Sequence, residues 1–205
     1  MTIKRVIEDR GIKRVVHFTR AENLPSILEK GLCPRSVLHD GMAKFNDELR
    51  LDGHLDAVCA SIEFPNYKLF YQLRMDKQGT EWAVLELDPS VLYDYECAFF
   101  ETNAASREMK SADLCSKMGA CALNRLYSPV FEGIQRDPAL PLSYPTNPQA
   151  EVLVFGVIPT SYINRVCFND ISVLAWYNNK YGNMATMCYE PNLFSYRKDY
   201  DLWRP

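Results

Sequence analysis

The chain has 205 residues, 47% hydrophobic and 24% charged, with a formal net charge of −3 and an isoelectric point near 5.7. That size and apolar content fit one domain over residues 1–205 with its own core and exclude intrinsic disorder, while the acidic balance excludes the strongly basic footprint of a tight nucleic-acid binder without excluding an enzyme that acts on nucleic acid. No apolar run nears the ~20 residues of a membrane span, and Met1-Thr-Ile-Lys-Arg lacks the apolar stretch of a signal peptide, so a soluble, cytoplasmic protein is expected.

In chain order, Lys4, Arg5, Arg10, Lys13, Arg14 and Arg20 face only Glu8 and Asp9, which reads as a solvated basic face able to attract phosphate. Residues 14–18 read as a strand. A helix is expected over 22–30, with Leu24, Ile27 and Leu28 at helical spacing and Gly31 placed to stop it. A buried strand follows over 57–62, then a helix over 66–74 with Pro65 at its first turn. Residues 81–87 alternate as a strand, 97–100 form another, and helical stretches cover about 105–118 and 120–127.

Residues 128–148 then lose all period and hold five of the twelve prolines: Pro129, Pro138, Pro141, Pro145 and Pro148. Irregular connections beyond ~12–15 residues are uncommon in compact domains and usually functional or disordered. Residues 149–158 are the most strand-like stretch, followed by a strand over 165–168, a helix over 170–179 and a last strand over 185–189. Short strands mixed with short helices, without regular βαβ alternation, predict an α+β fold. Neither G-x-G-x-x-G nor G-x-x-x-x-G-K-[ST] occurs, so a nucleotide must be held without a Rossmann or P-loop site.

Seven scattered cysteines (Cys33, Cys59, Cys97, Cys115, Cys121, Cys167 and Cys188) form no C-x-x-C pair and read as reduced thiols. His39 and His54 have no third ligand at metal spacing, so no metal is expected. Glu151 begins a strand whose other residues want burial. A carboxylate there is costly unless exposed or given a task, and the proline-rich loop before it favours a site. An outward-facing strand glutamate is the plainer reading. His17 lies in Val15-Val16-His17-Phe18, as a satisfied core histidine or a site residue. Arg50 is one charge among several in Asn46-Asp47-Glu48-Leu49-Arg50.

Taken together, several segments resemble the DarT family of bacterial DNA ADP-ribosyltransferase toxins. They are His17-Phe-Thr-Arg-Ala-Glu-Asn-Leu-Pro-Ser-Ile-Leu-Glu-Lys-Gly-Leu, Asn46-Asp47 through Arg50, Ala60-Ser61-Ile62 with Phe64-Pro65-Asn66-Tyr67-Lys68, and Gln149-Ala150-Glu151-Val152-Leu153-Val154. They occur in the family's order and span about residues 14–170.

The resemblance implies an ADP-ribosyltransferase fold with a split, mostly antiparallel β core, short helices and an NAD cleft. It implies His17 and Thr19 at the nicotinamide and ribose, Arg50 on the NAD diphosphate and in catalysis, Glu151 as catalytic carboxylate, and residues 128–148 as a substrate-recognition loop. Asn23 and Tyr67 become pocket residues. Tyr127, Phe131, Arg136 and Tyr144 become contacts for single-stranded DNA. The short interval 51–57, with Asp52-Gly53-His54, resembles the branch associated with guanine more than the thymine branch. An antitoxin that removes ADP-ribose, of macrodomain type or a related hydrolase, is the implied partner.

The chemistry suits these residue types. Nicotinamide leaves a cationic precursor as a neutral molecule, so the demand is a carboxylate beside an oxocarbenium-like ribose. The same group can accept the proton of a weakly nucleophilic base N–H. A base inside a duplex is out of reach, which favours single strands. The same chemistry on RNA or protein, and a non-catalytic NAD- or nucleic-acid-binding module, are the alternative readings.

Overall fold

The computed structural model describes residues 1–38, 53–106 and 113–204. Arg50 and His39 lie outside the described residues. Thr2 accepts the Arg5 N–H and starts helix α1 (Ile3–Arg10), which buries Val6 and Ile7. The start of the chain is therefore a helix packed through Val6 and Ile7, with Lys4, Arg5, Glu8 and Asp9 exposed on its other side. Of the six basic residues over 4–20, three are ion-paired: Arg5 with Asp9, Arg20 with Glu22, and Arg14 with Glu63 and Glu86.

Strand β1 (Val15–Arg20) runs through a 3-10 turn (Ala21–Asn23) into α2 (Leu24–Lys30). Gly31, at φ 85°, ends α2 where Leu32 bridges Ile158; a Cβ on Gly31 would strike the Ile158 carbonyl. There follow β2 (Ala57–Ile62), α3 (Tyr67–Asp76), β3 (Trp82–Leu87), α4 (Val91–Asp94) and β4 (Cys97–Phe100). Pro65 does not occupy the first turn of α3. Asn66 caps that helix, accepting the Leu69 N–H, and Pro65 stands before the cap. Residues 107–112 of the helix expected over about 105–118 lie outside the described residues; after them Asp113 caps a 3-10 turn (Leu114–Lys117) that leads into α5 (Gly119–Arg125).

Then come a two-residue hairpin of β5 (Val130–Phe131) and β6 (Ile134–Gln135), β7 (Glu151–Phe155), β8 (Ile163–Phe168), α6 (Ile171–Tyr181) and β9 (Met187–Tyr189). Two 3-10 turns, Pro191–Phe194 and Tyr200–Trp203, complete a tail. The strand expected over 149–158 is thus only five residues long, its ends being turned by Asn147 and by Gly156 at φ 89°.

Seven strands form one sheet in the order β4-β7-β2-β1-β3-β8-β9, antiparallel except for β8 with β9. Six residue pairs join β1 to β3, but only Val15↔Ile62 and Val16↔Ser61 join β1 to β2. Strand β2 gives residues 57–60 to β7 and its last two to β1. The sheet therefore parts between β1 and β2, and the fold is α+β with a split, mostly antiparallel core.

Packing follows the same division. One face carries a single large core that includes Val15, Ile62, Val58, Leu85, Val152 and Val154. The other face carries two separate clusters. Val16, Phe70, Trp82 and Val84 lie on the β1/β3/β8 half, and Ala57, Ala98, Phe100 and Leu153 on the β2/β4/β7 half. Strand β3 is buried along its whole length, since helices cover one face and α3 with the tail covers the other.

Candidate active site

Glu151 opens β7 and pairs with Phe100 of β4. Continuing the β2/β7 register by one step sets it level with Ser61, which itself pairs with Val16. The row Glu151–Ser61–Val16 thus crosses the point where β2 leaves one half-sheet for the other. At ordinary strand spacing, β7 and β1 are roughly 10 Å apart there. Strand alternation puts Glu151 on the face of Leu153, between the two smaller clusters.

The Glu151 side chain is half-buried, and its Oε2 accepts the Ala104 N–H at 2.8 Å. The segment presenting that amide is itself fixed. Asn103 Oδ1 accepts the Ala105 N–H, and Glu101 accepts from Lys117 (2.9 Å) and Arg125 (3.0 Å). Burial alone would raise the Glu101 carboxyl, but the Lys117 and Arg125 bonds outweigh it and hold it below its ordinary value. Sequence reasoning missed Glu101, Asn103 and Ala104 as supports of Glu151, since the link is made only when β4 pairs with β7.

His17 sits one residue past the last β1/β2 pair. Its Nδ1 lies 2.7 Å from the Cys59 carbonyl, across the gap. A carbonyl only accepts, so Nδ1 carries a proton and donates it to Cys59. Thr19 is buried and accepts a hydrogen bond from Asn23 Nδ2 at 3.1 Å, which locks the β1–α2 junction. Tyr67 is 9% exposed at the start of α3, and its hydroxyl is pushed up to about 12 by burial and then by Asp199. His17, Thr19 and Asn23 therefore cluster along β1 and the junction after it, whereas Tyr67 stands against the C-terminal tail.

Segment 128–148 is closed on itself. Thr146 donates its hydroxyl to the Ser128 carbonyl (2.6 Å) and its N–H to the Leu126 carbonyl (2.8 Å). Arg136 donates to the Tyr144 and Pro141 carbonyls and to Thr146 Oγ1. That half-buried arginine staples the loop from within. The expected role of Tyr127 changes. It is 5% exposed and its ring lies beneath the Arg10 guanidinium at 3.9 Å, so no ring face is offered to a base. Phe131 and Tyr144 remain half-exposed, Tyr144 against Phe64 at 6.2 Å.

Burial first, then the nearby Arg197 and Arg10, depress the Arg136 guanidinium. Arg10 bonds Asn124 Oδ1 (2.6 Å) and borders a cavity of about 280 Å³ with Leu142 and Asp9. Neither Arg10 nor Arg136 forms a salt bridge with a carboxylate among the described residues. No group of three or more potential metal ligands and no membrane-spanning helix occurs among those residues.

The family model described as "ssDNA thymidine ADP-ribosyltransferase, DarT" matches residues 16–186. The chain belongs to the DarT family. No curated protein sequence matches it. Among solved structures, DarT of Thermus sp. 2.9 in complex with ADP-ribosylated ssDNA is similar at 14% identity and a TM-score of 0.61, covering 90% of this chain and 97% of that one. The same protein in complex with NAD+ gives 15% identity and 0.58, with 89% and 98% covered. DarTG of Thermosipho africanus in complex with ADP-ribose gives 16% and 0.57, with 89% of this chain and 51% of that one. These likenesses agree with the fold, and DarT membership makes the chain an NAD-using ADP-ribosyltransferase.

Proposed function

We propose that this chain transfers ADP-ribose from NAD to a base of single-stranded DNA, guanine ahead of thymine, releasing nicotinamide. The observation that carries this is the position of Glu151. A half-buried carboxylate opens the strand beside the parting of the sheet, directly after a self-closed loop bordered by Arg10 and Arg136. Glu151 stabilises the oxocarbenium-like ribose and takes the proton of the attacking base. His17, Thr19 and Asn23, together with Tyr67, form the NAD side, and Arg50 takes the diphosphate. Phe131 and Tyr144 meet the acceptor strand, with Arg136 shaping the loop that carries them.

Guanine is favoured by the short 51–57 interval and by Phe64-Pro65-Asn66-Tyr67-Lys68. Thymine is the second reading, because the family description names thymidine. The protein acts as a cytoplasmic toxin, a single domain over 1–205, countered by an antitoxin that removes ADP-ribose through a macrodomain or related hydrolase. Incubation with NAD and single-stranded oligonucleotides, followed by mass spectrometry of the nucleosides, tests the proposal. An ADP-ribosylated guanosine is expected. Modified thymidine would move the base assignment, and labelling of RNA or protein alone would overturn DNA as acceptor.

A further inference from the structure

We propose that the C-terminal tail, residues 191–204, is a strap across the split sheet, and that Arg197 is a positioning residue for the acceptor loop. This rests on the reading of 128–148 as the acceptor loop. The tail lies beyond the residues that the family model matches, so nothing in that match assigns it a role.

Its first turn is sunk into the β1/β3/β8 half. Leu193 and Phe194 pack with Val16, Phe70, Trp82 and Val84, and the Phe194 carbonyl accepts from Arg74. Three residues on, the chain grips the loop that feeds the other half. Arg197, 4% exposed, donates from Nη1 to the Pro145 carbonyl (2.8 Å) and from Nη2 to the Thr146 carbonyl (2.7 Å). Its Nε and Nη2 also hold both oxygens of Asp199 at 2.6 Å, and Asp199 takes the Trp203 indole N–H at 3.0 Å. The Trp203 ring lies 6.2 Å from Phe131 at the hairpin of the loop.

The points seized matter. Thr146 is the residue that closes the loop onto Ser128 and Leu126, and it stands five residues before Glu151. A buried guanidinium and carboxylate are costly to desolvate, and well-packed apolar residues in their place often serve stability as well. Spending both on two loop carbonyls fixes where the loop stands relative to the carboxylate and to the β1 half. A two-pronged donor does this better than a point charge, because its planar fork sets direction as well as distance.

The experiment compares the unaltered chain with R197A, R197K and W203F. It measures KM and kcat for transfer to a single-stranded oligonucleotide, NAD hydrolysis by water, and amide exchange over 140–147. R197A is expected to raise the oligonucleotide KM tenfold or more and to speed exchange over 140–147. NAD hydrolysis should stay within twofold. R197K should fall between, since one ammonium cannot serve both carbonyls and Asp199. W203F, which removes one bond to Asp199, should shift the same KM by a few-fold, and it keeps the test usable if R197A does not fold. Equal loss of hydrolysis and transfer would overturn the strap as an acceptor device, and so would an unchanged oligonucleotide KM. No transfer by the unaltered chain would overturn the acceptor reading and this role with it.

Discussion

Replacing Glu151 by Gln isolates charge from shape. The Gln carbonyl oxygen can accept the Ala104 N–H that Glu151 Oε2 accepts at 2.8 Å, and the backbone pair with Phe100 is untouched. The fold and NAD affinity should therefore stay near normal. What disappears is a full negative charge beside a developing positive ribose. At ~4 Å and an effective dielectric of ~20 that attraction is about 4 kcal/mol. At about 1.4 kcal/mol per decade this bounds the loss near 10³-fold, and losses of key electrostatic groups run about 10²–10³-fold. The expected kcat for transfer is accordingly lower by at least ~10²-fold, read as nicotinamide release and oligonucleotide labelling, with NAD titration as control. Transfer within a few-fold of the unaltered chain would refute the assignment of Glu151, and an equal collapse of NAD binding would show that its charge serves the pocket instead.

Arg50→Ala should weaken NAD by roughly 1.5–3 kcal/mol, the worth of a hydrogen bond to a charged group; an unchanged calorimetric titration removes Arg50 from the diphosphate. Tyr144→Ala should cut transfer by about 5- to 150-fold, the scale of one lost base stack, with slow NAD hydrolysis retained. Cys188 should be alkylated well before Cys97 in a mass-spectrometric time course. The Cys188 thiol is lowered by its hydrogen bond with Cys167, sulfur to sulfur 3.0 Å, and by Arg165, whereas burial raises Cys97 to about 12. The folded Glu101 carboxyl titrates below its unfolded value of about 4.3, so its stabilisation is complete above that value and is lost as pH falls through the folded one. Glu101→Gln should flatten the acid limb of Tm against pH below about pH 5; an unchanged limb would show that the Lys117 and Arg125 bonds contribute nothing.

Where an element's fate is set locally, the chain was legible. Strands β2 and β4 fall where apolar, β-branched and aromatic residues run between turn residues, and α2 stops at Gly31 because a side chain there would collide with Ile158. Helix α1 escaped notice because its charges dominate an eight-residue segment with only Val6 and Ile7 buried. Arg14 looked solvated because its carboxylate partner Glu86, shared with Arg165, is 72 residues away and is buried by strand pairing. Tyr127 and Arg136 have the side chains a nucleic-acid contact needs, but tertiary structure covers one and spends the other on carbonyls. Residue type marks what a side chain can do, and burial decides whether it is offered.

The parting of the sheet shows why the site falls where it does. An opened sheet leaves backbone groups without strand partners, and a buried carbonyl left unmade costs about 1–3 kcal/mol. The Cys59 carbonyl faces that situation where β1 and β2 separate, and His17 Nδ1 meets it from the diverging strand. The imidazole thereby meets that carbonyl where the strands separate, donating from Nδ1. On the far side, β2 serves β7 only as far as Ala60↔Val152, so Glu151 begins its strand with β4 as its ladder partner. Beside it β2 turns from β7 to β1, and the Ala104 amide fixes one oxygen of its half-buried carboxylate. The divergence of β1 and β2 thus accounts for a histidine and a half-buried glutamate in otherwise apolar strands.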